Sequence, residues 1–150
     1  MWISKRTDYA TRALLALALS HDDRPLKTQE VAARTAVPHT TLEQVMLQLR
    51  SAGMVRSERG PSGGYRLNRD PSAITLEEVV RVFQGPLAPI ACATRKHPEP
   101  CPMEVGCSLL GVWRRVRDAT IEILQRTTFA DLAREAGGSW LAPPLLQQGT

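Results

Sequence analysis

Residues 54–67 read MVRSERGPSGGYRL, and this stretch decides the fold. Met54 to Arg59 and Tyr65 to Leu67 have the composition of two short strands, and three glycines lie in the turn Gly60–Gly64. Glycine adopts backbone conformations that other residues avoid, so this composition favours a tight reversal of the chain. The stretch therefore predicts a β-hairpin with a glycine-rich tip.

Helical patterns precede the hairpin. Apolar spacing and capping residues predict three helices before it, over residues 5–20, 29–35 and 40–51. Thr28 is expected to cap the second helix, and Thr40 with Glu43 to form a capping box at the start of the third. Gly53 is expected to end that helix in a left-handed conformation. Helix, helix, tight turn, helix and hairpin is the order of a winged helix-turn-helix, which places its second turn helix in the major groove of DNA.

Further helices are predicted after the hairpin. Thr75 and Glu78 form a second capping box, a long helix runs from about Ser108 to Gln125, and Thr128 caps a last short helix. The predicted fold class is mainly α with a small β-hairpin wing, a winged helix-turn-helix domain plus a long dimerisation helix. The predicted organisation is a DNA-binding domain over 1–84, a cysteine-bearing loop over 85–107, a dimerisation helix and short packing helix over 108–136, and a flexible tail over 137–150.

The positive charge of the chain is unevenly placed. Residues 1–70 hold 11 Lys/Arg against 7 Asp/Glu, whereas residues 71–150 hold 8 of each, so the whole net charge of +4 lies in the first half. Residues 50–69 contain five arginines and a single acidic residue, Glu58. This placement indicates a phosphate-binding surface, and a solubilising surface is the alternative.

Two groups of residues are predicted to contact DNA, one on the second turn helix and one on the wing. Gln44 is the best candidate for a base contact because glutamine can pair with adenine through two hydrogen bonds. The alternative is an exposed polar helix face opposite a core face made by Leu42, Val45, Met46 and Leu49. The candidate DNA-binding residues are Thr28, His39, Thr40, Thr41, Gln44, Arg50, Arg56, Arg59, Ser62, Gly63 and Arg66.

The three cysteines of the chain, Cys92, Cys101 and Cys107, share one proline-broken loop with the spacing C-x8-C-x5-C. Thiolates are the ligands that select zinc, copper(I) or iron–sulfur centres. No signal peptide and no run of the ~20 apolar residues that a membrane span needs is visible. The expected location is therefore the cytoplasm, with no membrane partner. In that reducing compartment three cysteines are expected to bind a metal or to react rather than to form disulfides.

These motifs resemble a known family. Residues 54–67 followed by Ile74–Val80 resemble the wing and next helix of the Rrf2 family of bacterial regulators, and Leu42–Gln44 resembles its recognition helix. Three cysteines before a long helix resemble the iron–sulfur branch of that family, the IscR-like and NsrR-like members. The resemblance covers roughly residues 1–135. It implies a homodimeric transcription factor, usually a repressor, that binds double-stranded DNA and holds a 2Fe–2S or 4Fe–4S cluster through the three cysteines.

The resemblance also raises the question of a fourth ligand. IscR-like members place a histidine three residues after the third cysteine, where this chain has Leu110. NsrR-like members use an acidic residue near the N-terminus of the other subunit, and Asp8 matches that pattern. Asp8 could instead pair with Arg12, four residues on. His97 in the loop is a rival ligand, and the C-x8-C gap is longer than is usual in the family.

The long helix carries a broad apolar surface. Its apolar stripe comprises Leu109, Val112, Trp113, Val116, Ala119, Thr120 and Ile123, with Leu110, Ile121 and Leu124 further round. So broad a surface indicates two partners, its own domain and a second subunit, and the alternative is full burial within its own domain. A two-fold dimer would present two recognition helices to a palindromic operator.

These residues suggest two functions and argue against a third. The first is a regulator whose DNA affinity depends on a cluster that senses nitric oxide, redox state or iron–sulfur status. The second is the same regulator with its cysteines used for zinc or as a thiol redox switch. A thiol enzyme is disfavoured because the chain lacks Cys-x-x-Cys, a nucleophile elbow and a pair of metal-binding histidines. The sequence thus predicts a regulator and not an enzyme.

Overall fold

The computed structural model describes residues 3–20, 24–96 and 98–137, which form helices and one two-stranded antiparallel hairpin. This confirms the predicted fold class. The predicted tail lies outside the described residues from position 138 onward, and so does His97. The elements in chain order are α1 (Lys5–Ala18), α2 (Thr28–Thr35), α3 (His39–Ser51), β1 (Val55–Glu58), β2 (Gly64–Leu67), α4 (Leu76–Gln84), α5 (Ser108–Arg126) and α6 (Phe129–Ala136).

One hydrophobic core joins the N-terminal helices to the last helix. Leu14 of α1, Leu42 of α3 and Phe129 of α6 are all completely buried in it. Burying a side chain of this size stabilises the fold by roughly 1.5–3 kcal/mol. Backbone hydrogen bonds reinforce the return of the chain, because the N–H of Phe129 donates to the carbonyl of Ile74 at 3.1 Å. Helix α5 therefore leaves the core and α6 returns to it.

The core face of α3 is as predicted. Leu42, Val45, Met46 and Leu49 are fully buried, and Gly53 has a φ of +72° just beyond the helix. Both predictions are therefore confirmed.

The predicted capping box at the start of α3 is wrong. The helix begins at His39 after an extended Pro38, so Thr40 already has helical backbone and cannot occupy the cap position. Glu43 turns instead towards His39, with 3.9 Å between its Oε1 and the ring Nδ1.

The predicted cap of α2 is displaced by one residue. Lys27, not Thr28, is the extended residue before the helix, and its N–H donates to the carboxylate of Glu30 at 2.9 Å. Arg24 donates to the same carboxylate at 2.8 Å, and chiefly through this bond the pKa of Glu30 lies below its usual value. Because Glu30 satisfies the free N–H of Lys27, the helix begins one residue earlier than the threonine suggested.

The two other predicted caps are confirmed. Thr75 Oγ1 accepts from the N–H of Glu78 at 3.3 Å, and Thr128 Oγ1 accepts from the N–H of Asp131 at 3.1 Å. Hydrogen bonds from the side chain and backbone of Thr128, with Arg134 in addition, lower the pKa of Asp131 to about 2. Thr75 and Thr128 also form an isolated bridge, so the starts of α4 and α6 lie side by side.

The hairpin is anchored to the body of the domain by a third segment. Strand β2 exchanges two backbone hydrogen bonds with Leu26, from the Leu26 N–H to Tyr65 O at 2.9 Å and from the Tyr65 N–H to Leu26 O at 2.8 Å. Gly64 makes this approach possible, because a Cβ at that position would lie 2.5 Å from the Leu26 carbonyl oxygen. The wing thus projects from a fixed base.

Candidate nucleic-acid interface and cysteine loop

The outer face of α3 carries the polar residues proposed for DNA. Thr40 and Gln44 are exposed, and His39 and Thr41 are partly exposed, on the side opposite the four buried residues. Thr28 is partly exposed at the first position of α2. The core face fixes the rotation of α3, so these side chains are held outward on a rigid element.

Two of the wing arginines share one face of the hairpin. Arg56 and Arg66 are directly opposed across the two strands, which puts their side chains on the same side. Between them lies Glu58, whose Oε1 is 3.0 Å from Arg66 Nε and 3.9 Å from Arg56 Nε. Glu58 therefore offsets part of the positive charge on this face, most of all that of Arg66, whose side chain is only 25% exposed.

Arg59 lies beyond this pairing. It is exposed beside the turn, and among the described residues it makes no ion pair. Arg50 at the end of α3 donates to Ser57 Oγ at 3.3 Å, which holds it beside strand β1. Arg59 is thus the wing cation with most freedom to meet a phosphate.

The two remaining residues of the wing that are predicted to bind DNA, Ser62 and Gly63, lie at its tip and differ in exposure. Ser62 is exposed, whereas Gly63 is buried beneath the turn, and its N–H donates to Gly60 O at 3.0 Å. A Cβ at Gly63 would lie 2.3 Å from Glu58 O, inside the hairpin itself. The packing of the turn by itself requires glycine at position 63.

The cysteine loop has local order at each thiol. Cys92 lies in the short 3₁₀ turn Ala91–Ala93, and Cys107 immediately precedes α5. Two successive backbone turns link Cys101 to Cys107, since Glu104 N–H donates to Cys101 O at 3.0 Å and Cys107 N–H donates to Glu104 O at 3.3 Å. All three cysteines are free thiols and partly buried.

The single chain does not gather these thiols into a metal site. Within residues 3–20, 24–96 and 98–137, no group of three or more His, Cys, Asp or Glu side chains is placed to hold a metal ion. Asp8 lies in the first turn of α1 and pairs with Arg12, with 2.7 Å between Oδ2 and Nη2. The donor chemistry of three thiols fits an iron–sulfur or zinc centre, but their placement in one chain does not form one.

Three charged residues, Arg95, Arg117 and Asp118, connect the cysteine loop to α5, and we call this group the clasp. The sequence did not indicate it. Arg117 Nη1 donates to Ala93 O at 2.5 Å, next to Cys92, and Arg117 Nε donates to Asp118 at 2.9 Å. Arg95 from the loop donates to the same carboxylate at 2.7 Å. Hydrogen bonds from Arg117 and then Arg95 lower the pKa of Asp118 to about 2. The clasp joins residues more than twenty positions apart, and no motif marks such a contact.

The apolar surface of α5 divides into two parts. Leu110 and Ile121 are buried against their own chain. The other part faces outward in the single chain: Leu109 is 60% exposed and Ile123 66%, and between them lie Val112, Trp113 and Val116. The prediction that this helix needs more than its own domain agrees with this division.

None of the described helices is both long and apolar enough to cross a membrane.

Comparisons with known proteins agree with this geometry. Residues 3–135 match the Rrf2 family, described as an iron-dependent transcriptional regulator. The chain is 36% identical over 138 residues to the HTH-type transcriptional regulator CymR of Bacillus subtilis, covering 92% of this chain and 94% of that protein. It is 32% identical over 139 residues to the HTH-type transcriptional repressor NsrR of Streptomyces coelicolor, covering 92% of each.

Solved structures show the same fold. CymR, the global cysteine regulator of B. subtilis, superposes with a TM-score of 0.78 at 34% identity, covering 90% of this chain and 98% of that one. IscR of T. potens superposes with a TM-score of 0.74 at 27% identity, covering 97% and 96%.

Proposed function

The chain belongs to the Rrf2 family of transcriptional regulators, and we propose that it is a cytoplasmic, homodimeric repressor whose DNA affinity depends on an iron–sulfur cluster. The proposal of a cluster rests on one observation, namely that every cysteine of the chain is a free thiol on the segment between α4 and α5. That segment links the DNA-binding elements to the long helix. A change in its order can therefore alter how two DNA-binding heads are set apart.

The DNA-binding part of the proposal rests on α3 and the wing. Gln44 and Thr40 would meet base edges or phosphates in the major groove, while Arg59 and Arg56 would meet the backbone beside it. Gln48 holds α3 against α4, because its side-chain amide donates to Val82 O at 3.1 Å. The helix is thus presented as a rigid element, as readout of base edges requires.

The proposal of a dimer is supported by the outward-facing part of α5. Leu109, Val112, Trp113, Val116 and Ile123 form an exposed apolar surface along one helix. A contiguous surface of this kind marks an interaction site in soluble proteins. A second copy of the chain covering it with the same surface would pair the two α3 helices by a two-fold axis, which suits a palindromic operator.

The cluster would be held by Cys92, Cys101 and Cys107. Asp8 of the partner subunit is the proposed fourth ligand. Cluster binding would have to draw the three thiols of one chain together, because they form no metal-binding group within the described residues. Iron held by one oxygen ligand beside three sulfurs would be open to attack by nitric oxide or oxidants. Asp8 would have to leave Arg12, and an exposed ion pair of this kind contributes only about 0.2–1 kcal/mol.

The clasp supplies a route from the loop to the dimer. Arg117 binds the carbonyl of Ala93 directly after Cys92, so a shift of that cysteine moves the attachment point on α5. The proposal requires that the two arrangements of the loop differ in free energy when DNA is bound.

A second candidate keeps the same DNA-binding function and uses the cysteines as zinc ligands or as a thiol redox switch. It is favoured by the separate placement of three free thiols, which form no metal-binding group within the described residues. Anaerobic purification followed by iron, sulfide and zinc analysis separates the two candidates. Iron and sulfide in equal amounts, with visible charge-transfer absorption, support the cluster. Stoichiometric zinc or a colourless protein with redox-dependent DNA binding supports the second candidate.

Single substitutions then assign the site. Cys92→Ser, Cys101→Ser or Cys107→Ser should each lose most of the iron and uncouple DNA binding from the signal. Asp8→Ala should leave a bound but more labile cluster, because three thiolates remain. Mixed dimers test the origin of the aspartate: one chain without Asp8 and one without the three cysteines should still form one intact site. An unaltered spectrum and reactivity in Asp8→Ala would remove Asp8 from the ligand set.

A further inference from the structure

A cavity lies at the junction of α4, the cysteine loop and α5. Its volume is about 450 Å³, which is within the range of about 300–1,000 Å³ typical of small-molecule sites. Its lining residues are Arg81, Gly85, Pro86, Leu87, Arg95, Lys96 and Ile121. Neither the proposed DNA-binding residues nor the three cysteines belong to this set.

The floor of the cavity is apolar. Leu87 and Ile121 are each only 4% exposed and pack with Val80 in a small cluster separate from the main core. Pro86 extends this apolar surface towards the end of α4. A hydrocarbon chain in the cavity would lie against this apolar floor.

The rim of the cavity is cationic. Arg81, Arg95 and Lys96 line it, and no carboxylate is among the described lining residues. Arg81 is held by Glu77 and Arg95 by Asp118, whereas Lys96 is exposed and makes no ion pair within the described residues. The three cations are thus balanced by two carboxylates that lie outside the cavity, which leaves its mouth positive.

We propose that this cavity binds a small apolar carboxylate, with its hydrocarbon part on Leu87 and Ile121 and its carboxylate beside Lys96 and Arg95. An apolar floor with a few convergent polar groups is the usual form of a small-ligand site. The positive rim selects an anion over an amine of the same length, since like charges at the mouth repel. The site touches α4 and α5 at once, so a ligand there contacts both the DNA-binding domain and the long helix.

Octanoate is the probe for this site. Calorimetric titration of the full chain should show saturable binding of one octanoate per chain. Octylamine and 1-octanol, which share the hydrocarbon part, should bind at least ten times more weakly. Equal binding of all three, or no saturable binding of octanoate, would overturn the proposal.

Charge reversal at the rim locates the ligand. Lys96→Glu should weaken octanoate binding at least tenfold, and Lys96→Met should weaken it less. Lys27→Glu is the control, because Lys27 is also an exposed lysine and does not line the cavity, and this variant should bind octanoate as the unaltered chain does. Equal losses in Lys96→Glu and Lys27→Glu would contradict the site.

The cysteine variants separate this inference from the proposed cluster. Cys101→Ser should bind octanoate unchanged, because that cysteine does not line the cavity. Methyl resonances of Leu87 and Ile121 should shift on binding, and resonances of the main core should not. Shifts confined to the core would place the ligand elsewhere and overturn the assignment.

Discussion

The DNA-binding half and the cysteine-loop half of this molecule are stabilised in different ways. In the first, large side chains such as Leu14, Leu42 and Phe129 are completely buried in one continuous core. In the second, Val80, Leu87 and Ile121 form a small separate cluster, and Arg95 and Arg117 connect the loop to α5 through Asp118. The core of the first half includes Phe129, which α6 supplies from beyond the cysteine loop. The second half exposes the apolar surface of α5 that we propose as a dimer interface.

The largest loss of stability is expected when a buried side chain is removed from the core of the first half. Phe129→Ala removes a fully buried ring that ties α6 to the core, and should lower the free energy of unfolding by about 3–5 kcal/mol. Urea unfolding monitored by circular dichroism measures this change. Val105→Ala, at a position of the cysteine loop that is 99% exposed, is the control and should leave the stability nearly unchanged. Similar losses in both would mean that the loss in Phe129→Ala does not come from the burial of the ring.

An acid on the exposed face of α5 tests the second half as an interface. Ile123→Glu should weaken association of two copies by at least about a hundredfold, because a charge buried without a partner costs about 3–5 kcal/mol. Sedimentation velocity over a range of concentrations gives the association constant. Gln125→Glu adds the same charge at a neighbouring exposed position and is the control. An Ile123→Glu protein that remains dimeric would place the interface elsewhere.

Two arginines of the wing, Arg59 and Arg66, are expected to differ in their effect on the salt dependence of DNA binding. Arg59→Ala should lower the slope of log affinity against log salt by about one unit, since each phosphate contact releases about one counterion. Arg66→Ala should change the slope less, because Glu58 lies 3.0 Å from Arg66 and already offsets its charge. Fluorescence anisotropy at several salt concentrations measures both slopes. An equal change for the two arginines would show that Glu58 releases Arg66 when DNA binds.

The smallest expected effect concerns the clasp. The pKa of Asp118 is lowered to about 2 by Arg117 and Arg95, so its contribution is present above its usual pKa near 4 and is lost as the pH falls through about 2. Asp118→Asn should therefore lower the thermal midpoint slightly at pH 7, and the difference should shrink as the pH falls from about 4 to about 2, where about half of this carboxylate is protonated in the folded chain. Calorimetric scans across this range measure it. A difference at pH 2 as large as that at pH 7 would mean that the ionised carboxylate is not what holds the loop.

Features that depend on neighbours in the chain could be predicted from the sequence. The caps at Thr75 and Thr128, the left-handed Gly53 and the buried face of α3 all follow from residues within a few positions of one another. The cap position of α2 lies one residue before the predicted Thr28, because Glu30 accepts from the N–H of Lys27. The cap position of α3 is Pro38, two residues before the predicted Thr40. Sequence rules alone often make several adjacent residues nearly equally good caps. Individual contacts in the folded chain then decide at which of them the helix begins.

The sequence by itself determined the order of the elements, the wing and the grouping of three thiols on one loop, because periodicity and spacing are written along the chain. Only the tertiary structure decided that Leu26 joins the wing, that Phe129 returns to the core, and that Arg117 and Asp118 receive the loop. These contacts join residues far apart in sequence, between which no repeating pattern runs. Their positions follow from how the helices pack, since packing brings distant side chains within hydrogen-bonding distance.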